Sequence, residues 1–267
     1  MTELCVSPAG LSKKCEIPDA SGDGDVSVDG TGQFAARFDS DAVLADSDSG
    51  LDPGAIVPLD YWRNKYLIPA IASGGSIGLI GIGDIDQYLH AAQQGPLGST
   101  FDPGRVAHAK GFYCVYDIDP VLVSKTQSVG INCAECDVTT SSLGHEFDYV
   151  FASDVIEHVE NPVAFLRNIR DSLSSDGIMI ITTPNALYWR NILTGCSREF
   201  YEHNFTFYPA HFRNLARRLD LDIAELCSFQ AVGRLSGLVA KSLHCCVHRF
   251  MAQIGRGNSL LFVARRL

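Results

Sequence analysis

Apolar residues in this chain gather into short blocks separated by stripes at helical spacing, and that alternation predicts an α/β fold. Residues 76–80 (SIGLI), 112–116 (FYCVY), 149–152 (YVFA) and 178–182 (IMIIT) are mostly apolar runs of four or five positions, the length of strands buried on both faces. After the third run, Asn161 and Pro162 supply an N-cap and a first helical residue. Phe165, Leu166, Ile169 and Leu173 then recur at helical spacing, with Gly177 as the expected stop. A further helix is expected from Phe212 to Leu219, with Phe212, Leu215 and Leu219 turned inward and Arg213, Arg217 and Arg218 outward. Near Pro58 the spacing of Trp62, Tyr66, Leu67 and Ile71 predicts a helix that Pro69 must kink or end.

Before that point the pattern fails. Residues 1–55 are rich in Asp, Ser and Gly and hold no sustained period, so they read as an acidic, disordered leader. The predicted domain occupies residues 56–267, with substrate-cap elements at about 186–210 and 232–254. The net charge of −10 is unevenly shared. The leader holds 11 acids against 3 bases, residues 56–210 hold 17 against 9, and residues 211–267 hold 3 against 9. An acidic central region argues against non-specific nucleic-acid binding. The basic tail is read first as a solvated face, and an apolar stripe (Leu235, Val239, Leu243, Cys246, Phe250) beside Arg234, Lys241, His244 and His248 as a lid helix. Weak contact of that helix with an anionic membrane surface is the alternative.

With 267 residues, 46% of them hydrophobic, the chain is long enough for one sizeable α/β core. No run approaches the length of a membrane span, and the first ten residues lack the features of a secretion signal, which places the chain in the cytoplasm. Nine scattered cysteines in such a chain are expected to be reduced, and the CxxC of Cys133 and Cys136 lacks the second pair a zinc site needs.

The candidate chemistry lies at the ends of the predicted strands. Gly81 and Gly83 follow the first apolar run and would let the backbone approach a ligand closely, with the free amides of the next helix beside it. Asp117 closes the second run and can accept hydrogen bonds from ribose hydroxyls. Asp137 follows the short CAEC segment, and Ser153 ends the third run.

In this order, these features and the stretch from Phe147 to Asn185 resemble the class I S-adenosylmethionine-dependent methyltransferases over about residues 60–225, with NSLLFVARR resembling the family's last strand. The resemblance implies a Rossmann-like seven-stranded, mostly parallel sheet with helices on both faces, and S-adenosyl-L-methionine as cofactor. Gly81 and Gly83 would lie beneath the methionine part of the cofactor, Asp117 with Ile118 at the ribose, Asp137 with Val138 at the adenine, and Ser153 near the sulfonium. Two positions depart from the family pattern. Leu79 stands where an acid precedes the first glycine, and Ile85 where a third glycine is usual. Asp84 or Asp86, at the start of the next helix, would replace the lost carboxylate.

A sulfonium methyl group is already activated, so such an enzyme mainly aligns an acceptor and excludes water. His158 is the first candidate for the base that takes the acceptor's proton, and His203 the second. Tyr188, Trp189, Phe200, Tyr201, Phe205, Phe207 and Tyr208 either wall a substrate pocket or pack a cap onto the sheet. The reading is methyl transfer to an oxygen or nitrogen of a small molecule, sugar or lipid precursor, with no metal assigned. Three alternatives accompany it. The set Asp154, Glu157, His158 and His203 is similar to the metal-binding residues of the small-RNA 2′-O-methyltransferases. The scaffold could have lost its cofactor, given Leu79 and Ile85. A nicotinamide-dependent oxidoreductase is disfavoured because Asp86 stands at the third fingerprint glycine and Asp117 lies 34 residues beyond Gly83.

Overall fold

The computed structural model describes residues 56–58, 63–83, 106–107, 109–194, 203–232, 250–251 and 254–267. Its strands are β1 (Ile56–Pro58), β2 (Ile77–Ile80), β3 (Tyr113–Asp117), β4 (Cys133–Glu135), β5 (Phe147–Ser153), β6 (Leu173–Pro184), β7 (Leu221–Val232) and β8 (Ser259–Arg266). The α-helices are α1 (Ile68–Ser73), α2 (Pro120–Ser128), α3 (Pro162–Asp171), α4 (Trp189–Thr194) and α5 (Pro209–Arg218). The acidic leader, Asp84, Asp86, Phe200, Tyr201 and residues 233–249 of the expected lid helix lie outside the described residues.

All eight strands form one sheet in the order β1-β7-β8-β6-β5-β2-β3-β4. Every pairing is parallel except the two that β8 makes with β6 and β7. Seven of these strands are the sheet the resemblance implies, with its single antiparallel insertion. The eighth was not anticipated: β1 extends the edge beside β7, with Ile56 opposite Gln230.

Period-two alternation sends successive strand residues to two separate cores. Ile80, Tyr116, Val150, Ala152 and Met179 join Phe165, Leu166 and Ile169 of α3 and Phe212 of α5 on one face. Ile77, Leu79, Val115, Phe151 and Ile180 join Leu67, Ala70 of α1 and Val123 of α2 on the other. Helices therefore cover both faces, as expected. Leu79, the residue in place of the family's acid, is only 2% exposed and serves as core.

Local capping follows the sequence. Asn161 Oδ1 accepts the Ala164 amide at 3.0 Å to open α3, with Pro162 in the first turn. One local expectation is corrected. Gly177 does not stop α3, whose C-cap is Ser172; it sits within β6, where an added Cβ would stand 2.6 Å from the Phe147 carbonyl oxygen. Pro69 stands where the helix type changes, from π to α. One π-turn (Arg63–Leu67) leads in, and Pro69 occupies the first turn of α1, where a missing amide donor costs least.

Candidate functional site

The chain runs from β2 outward to β3 and β4, then crosses back to β5 on the other side of β2. Parallel strands that diverge in this way leave a crevice beyond their carboxyl ends, where open α/β sheets bind ligands. Ile80 is level with both Tyr116 and Ala152, so the tips of β2, β3 and β5 end together.

Gly81 begins the turn after β2 with φ +90°, and its amide donates to the Tyr116 carbonyl at 2.8 Å. A Cβ there would stand 2.8 Å from Val155 Cγ2, so the glycine both adopts the left-handed backbone and admits the loop after β5. Gly83, φ +72°, has no described residue within 4 Å of a Cβ. Asp117 lies beside them. One carboxylate oxygen accepts the Ile82 amide at 2.9 Å and the other accepts the Asp119 amide at 2.9 Å. Each oxygen keeps a further lone pair for a ligand hydroxyl. The neighbouring Ile118 is 65% exposed, an apolar side chain held in the open at the mouth.

Asp137 stands past β4. Its Oδ1 accepts the Thr139 amide at 2.9 Å and the Thr139 hydroxyl at 2.7 Å, fixing the turn and the carboxylate together. Val138 is buried, and its carbonyl accepts from Asn168 Nδ2 at 2.7 Å, which ties this turn to α3. On the other side Ser153 Oγ lies 3.0 Å from Thr182 Oγ1, and the Asp154 amide donates to the Thr182 carbonyl at 3.0 Å. Asp154 has φ +52°, a left-handed residue that turns the chain sharply out of β5.

That turn delivers a second group of side chains. Glu157 is 1% exposed, and its Oε2 accepts from Thr183 Oγ1 at 2.9 Å. His158 and His203 meet edge to face with ring centroids 4.6 Å apart. Residues 203–207 are sewn to the loop by the Phe205 amide on the Glu157 carbonyl at 3.0 Å and Asn204 Nδ2 on the His158 carbonyl at 2.6 Å. The Ala186 amide bonds the Phe207 carbonyl at 2.8 Å, closing the segment onto the end of β6. A cleft beside the histidines is lined by Glu157, Thr183, Pro184, Ala186, His203, Phe205 and Thr206.

The structure thus brings Gly81, Gly83, Asp117, Asp137 and Ser153 to one edge of the sheet, and places His158 and His203 together beyond β5. It groups Glu157, His158 and His203 within 4.8 Å by one ligand atom each, but Asp154 is not among them. The aromatic segment divides between its two readings. Phe207 is buried against Phe212, ring centroids 5.3 Å apart, whereas Phe205 is 40% exposed at the cleft. Sequence reasoning missed Thr183 and Asn204. The signal for Thr183 was a pair of threonines closing an otherwise apolar strand.

Cys114, Cys133 and Cys227 are free, and burial pushes their thiols up to about 11, about 12 and about 12 respectively. Cys136 is disulfide-bonded, which departs from the expectation of reduced thiols; its CxxC neighbour Cys133 is not its partner.

A family model described as a methyltransferase domain matches residues 87–226, more than half of the chain. The chain belongs to the methyltransferase domain family. Solved structures similar to this methyltransferase include a complex of the Haloferax volcanii Trm112 methyltransferase activator with a methyltransferase. That likeness has 16% identity, coverage of 74% of this chain and 87% of the other, and a TM-score of 0.50. An S-adenosylmethionine-dependent methyltransferase from Mesorhizobium loti has 16% identity, coverage of 78% and 100%, and a TM-score of 0.46. Another from Archaeoglobus fulgidus has 14% identity, coverage of 77% and 92%, and a TM-score of 0.48. No curated protein matches the sequence. At 16% identity and a TM-score of 0.50 the first of these likenesses speaks of fold alone, and the oxidoreductase alternative yields to the family match. Among the described residues, no helix is long and apolar enough to cross a membrane.

Proposed function

We propose that this methyltransferase uses S-adenosyl-L-methionine to methylate an oxygen or nitrogen of a small-molecule, sugar or lipid-precursor acceptor in the cytoplasm. The observation that carries the proposal is the convergence of Gly81, Gly83, Asp117 and Asp137 at one end of the crevice with His158 and His203 at the other. The residues fit the cofactor. The left-handed Gly81–Gly83 turn lets the backbone itself approach a ligand, Asp117 keeps acceptor capacity for a ribose, and the exposed Ile118 offers an apolar face. When bound, the cofactor supplies a sulfonium-activated methyl group.

The protein's own contribution is placement and proton handling. The Asp117 carboxylate, held by two backbone amides, is oriented before any ligand arrives, so binding costs it little reorganisation. Ser153 and Thr182 present hydroxyls at the tip of the central strands. His158 or His203 accepts the proton that an acceptor hydroxyl or ammonium must lose, a task suited to an imidazole near neutral pH. Phe205 lines the cleft in which the acceptor would sit and helps exclude water. The acidic central region disfavours nucleic acid as acceptor.

Calorimetric titration with S-adenosylhomocysteine and, separately, NADH tests the cofactor half. Binding of the first alone is expected; binding of neither would mean a scaffold that has lost its ligand. Incubating a metabolite pool with deuterated-methyl cofactor and searching by mass spectrometry for the shifted product then identifies the acceptor.

A further inference from the structure

The acceptor end of the crevice is edged by exposed apolar side chains. Ile192 (52% exposed) and Leu193 (75%) stand on α4, Phe250 (57%) and Ile254 (53%) stand ahead of β8, and Phe205 stands at the cleft. Hydrogen bonds hold α4 and the segment before β8 side by side. The Trp189 amide donates to the Arg256 carbonyl at 3.3 Å, and Asn185 Nδ2 donates to the Gly255 carbonyl at 3.1 Å and the Gly257 carbonyl at 2.8 Å. Asn185 in turn lies between Pro184 and Ala186, which line the cleft. Large apolar side chains left in the open around a site mark an interaction surface.

We infer that this edge docks on an anionic lipid bilayer, from which the methyl acceptor enters the cleft. Charge selects that partner. From Leu226 to Leu267 the sequence has no Asp or Glu but six Lys and Arg, and from Pro184 to Arg198 it has no acid and two Arg. Apolar side chains set among cations match a phospholipid surface, whose acyl region takes the first and whose headgroup phosphates attract the second. Exposed Arg190 lies over the Trp189 ring at 5.4 Å, which joins a cation to an aromatic of the kind that favours the boundary between lipid and water. A second copy of this chain would bring the same positive charge to the same face and be repelled. Phe250 supplies an independent observation. It closes the apolar stripe that the sequence pattern assigns first to a lid helix, and a lid packed on the core would bury it, whereas it stands exposed as insertion requires.

This inference rests on the methyl-transfer reading for its consequence and narrows the acceptor to an amphiphile. Its polar head reaches the cleft beside Phe205 while its apolar part stays in the bilayer.

The full chain is floated with vesicles of phosphatidylcholine alone and of equal parts phosphatidylcholine and phosphatidylserine. Binding at least about 10-fold tighter to the anionic vesicles, weakened by raised salt, is expected. The double variant Ile192→Asp, Leu193→Asp should bind at least about 10-fold more weakly with its melting temperature unchanged, since both side chains are exposed. Val121→Asp, which alters an exposed apolar residue of α2, should stay within about two-fold of wild type. No vesicle binding by the wild type, equal binding to both vesicle types, or binding unchanged in the double variant overturns the surface. So does a dimer, seen by sedimentation, that the double variant abolishes in place of vesicle binding. S-adenosylhomocysteine titrated into the same protein separates the two proposals. Cofactor binding without vesicle binding sinks only the docking surface, and vesicle binding without cofactor binding sinks only the proposed function. With both in place, label from deuterated-methyl cofactor incubated with a membrane fraction should appear in the organic extract; label confined to the aqueous extract overturns the bilayer as the acceptor's source.

Discussion

The two ends of the crevice are built by different means. On the β2–β3–β4 side the contacts come from strand tips and the turns that directly follow them: Gly81 to Tyr116, Ile82 to Asp117, Thr139 to Asp137. Beyond β5 they come from side chains and segments remote in sequence: Thr183 on Glu157, Asn204 on His158, His203 against His158. The first side depends on backbone shape, which a single glycine or acid determines. The second depends on docking, which many packed groups must support. Changes on the first side should therefore alter cofactor affinity and spare the second, and the reverse should hold.

Gly81→Val is the severest way to test this division. A β-branched residue at φ +90° costs about 1–3 kcal/mol in backbone strain, and the clash with Val155 adds about 1–3 kcal/mol of overpacking. S-adenosylhomocysteine affinity measured by calorimetry should fall about 100-fold or more. Gly83→Ala has the left-handed strain without the clash, so its loss should be about 10-fold or smaller. Equal losses at the two glycines would show that Val155 does not constrain the turn. Next in size is Asp117→Asn. An amide must set its NH2 group against either the Ile82 or the Asp119 amide, leaving a charge-assisted bond unmade at a cost of about 1.5–3 kcal/mol. Cofactor affinity should drop about 10- to 100-fold, while the melting temperature stays within a few degrees of wild type.

The same division explains what was legible in the sequence. Gly81, Asp117 and Ser153 each sit at the end of an apolar run and Asp137 after the short CAEC segment, and a parallel sheet brings such ends together whatever the side chains between them. The succession of runs and stripes shows alternating strands and helices, whereas the seven-stranded sheet is implied only by the family resemblance. β1 did not announce itself, because three residues, Ile56–Pro58, are too few to show a period and their pairing with β7 is a long-range event. His158 and His203 could be named as chemistry-bearing types, but their meeting could not. It depends on hydrogen bonds from Asn204 and Phe205 to backbone carbonyls, and no residue type advertises which carbonyl it will find. Gly177 misled for a related reason: a glycine after a helix resembles a stop, whereas here a close approach to the Phe147 carbonyl requires it.

On the second side, Thr183→Val removes the hydroxyl that donates to Glu157 Oε2 while preserving shape. Leaving the buried Oε2 without this donor costs about 1–3 kcal/mol. Once the acceptor is known, kcat should fall about 10-fold with cofactor affinity within about two-fold of wild type. A matching loss of cofactor affinity would merge the two ends into one unit.

The smallest effect concerns the opposite edge of the sheet and serves as the control for both ends. Asp148 Oδ2 accepts the Ser76 amide at 2.8 Å, and Oδ1 accepts from Ser174 Oγ at 2.8 Å, tying the entry of β2 to β6. The Ser76 amide is the main cause that holds this carboxyl below its usual range, opposed by burial and aided by the Ser174 and Ser76 hydroxyls. A depressed folded-state pKa contributes stability that is present above the unfolded value near 3.9 and is lost as pH falls through the folded one. Asp148→Asn should therefore lower urea stability by about 1 kcal/mol at pH 7. The gap to wild type should persist at pH 5 and narrow only below about pH 4, with cofactor affinity unchanged at pH 7. A gap that stays constant into acid would mean that the charge on Asp148 contributes nothing and that the side chain acts only as a neutral acceptor.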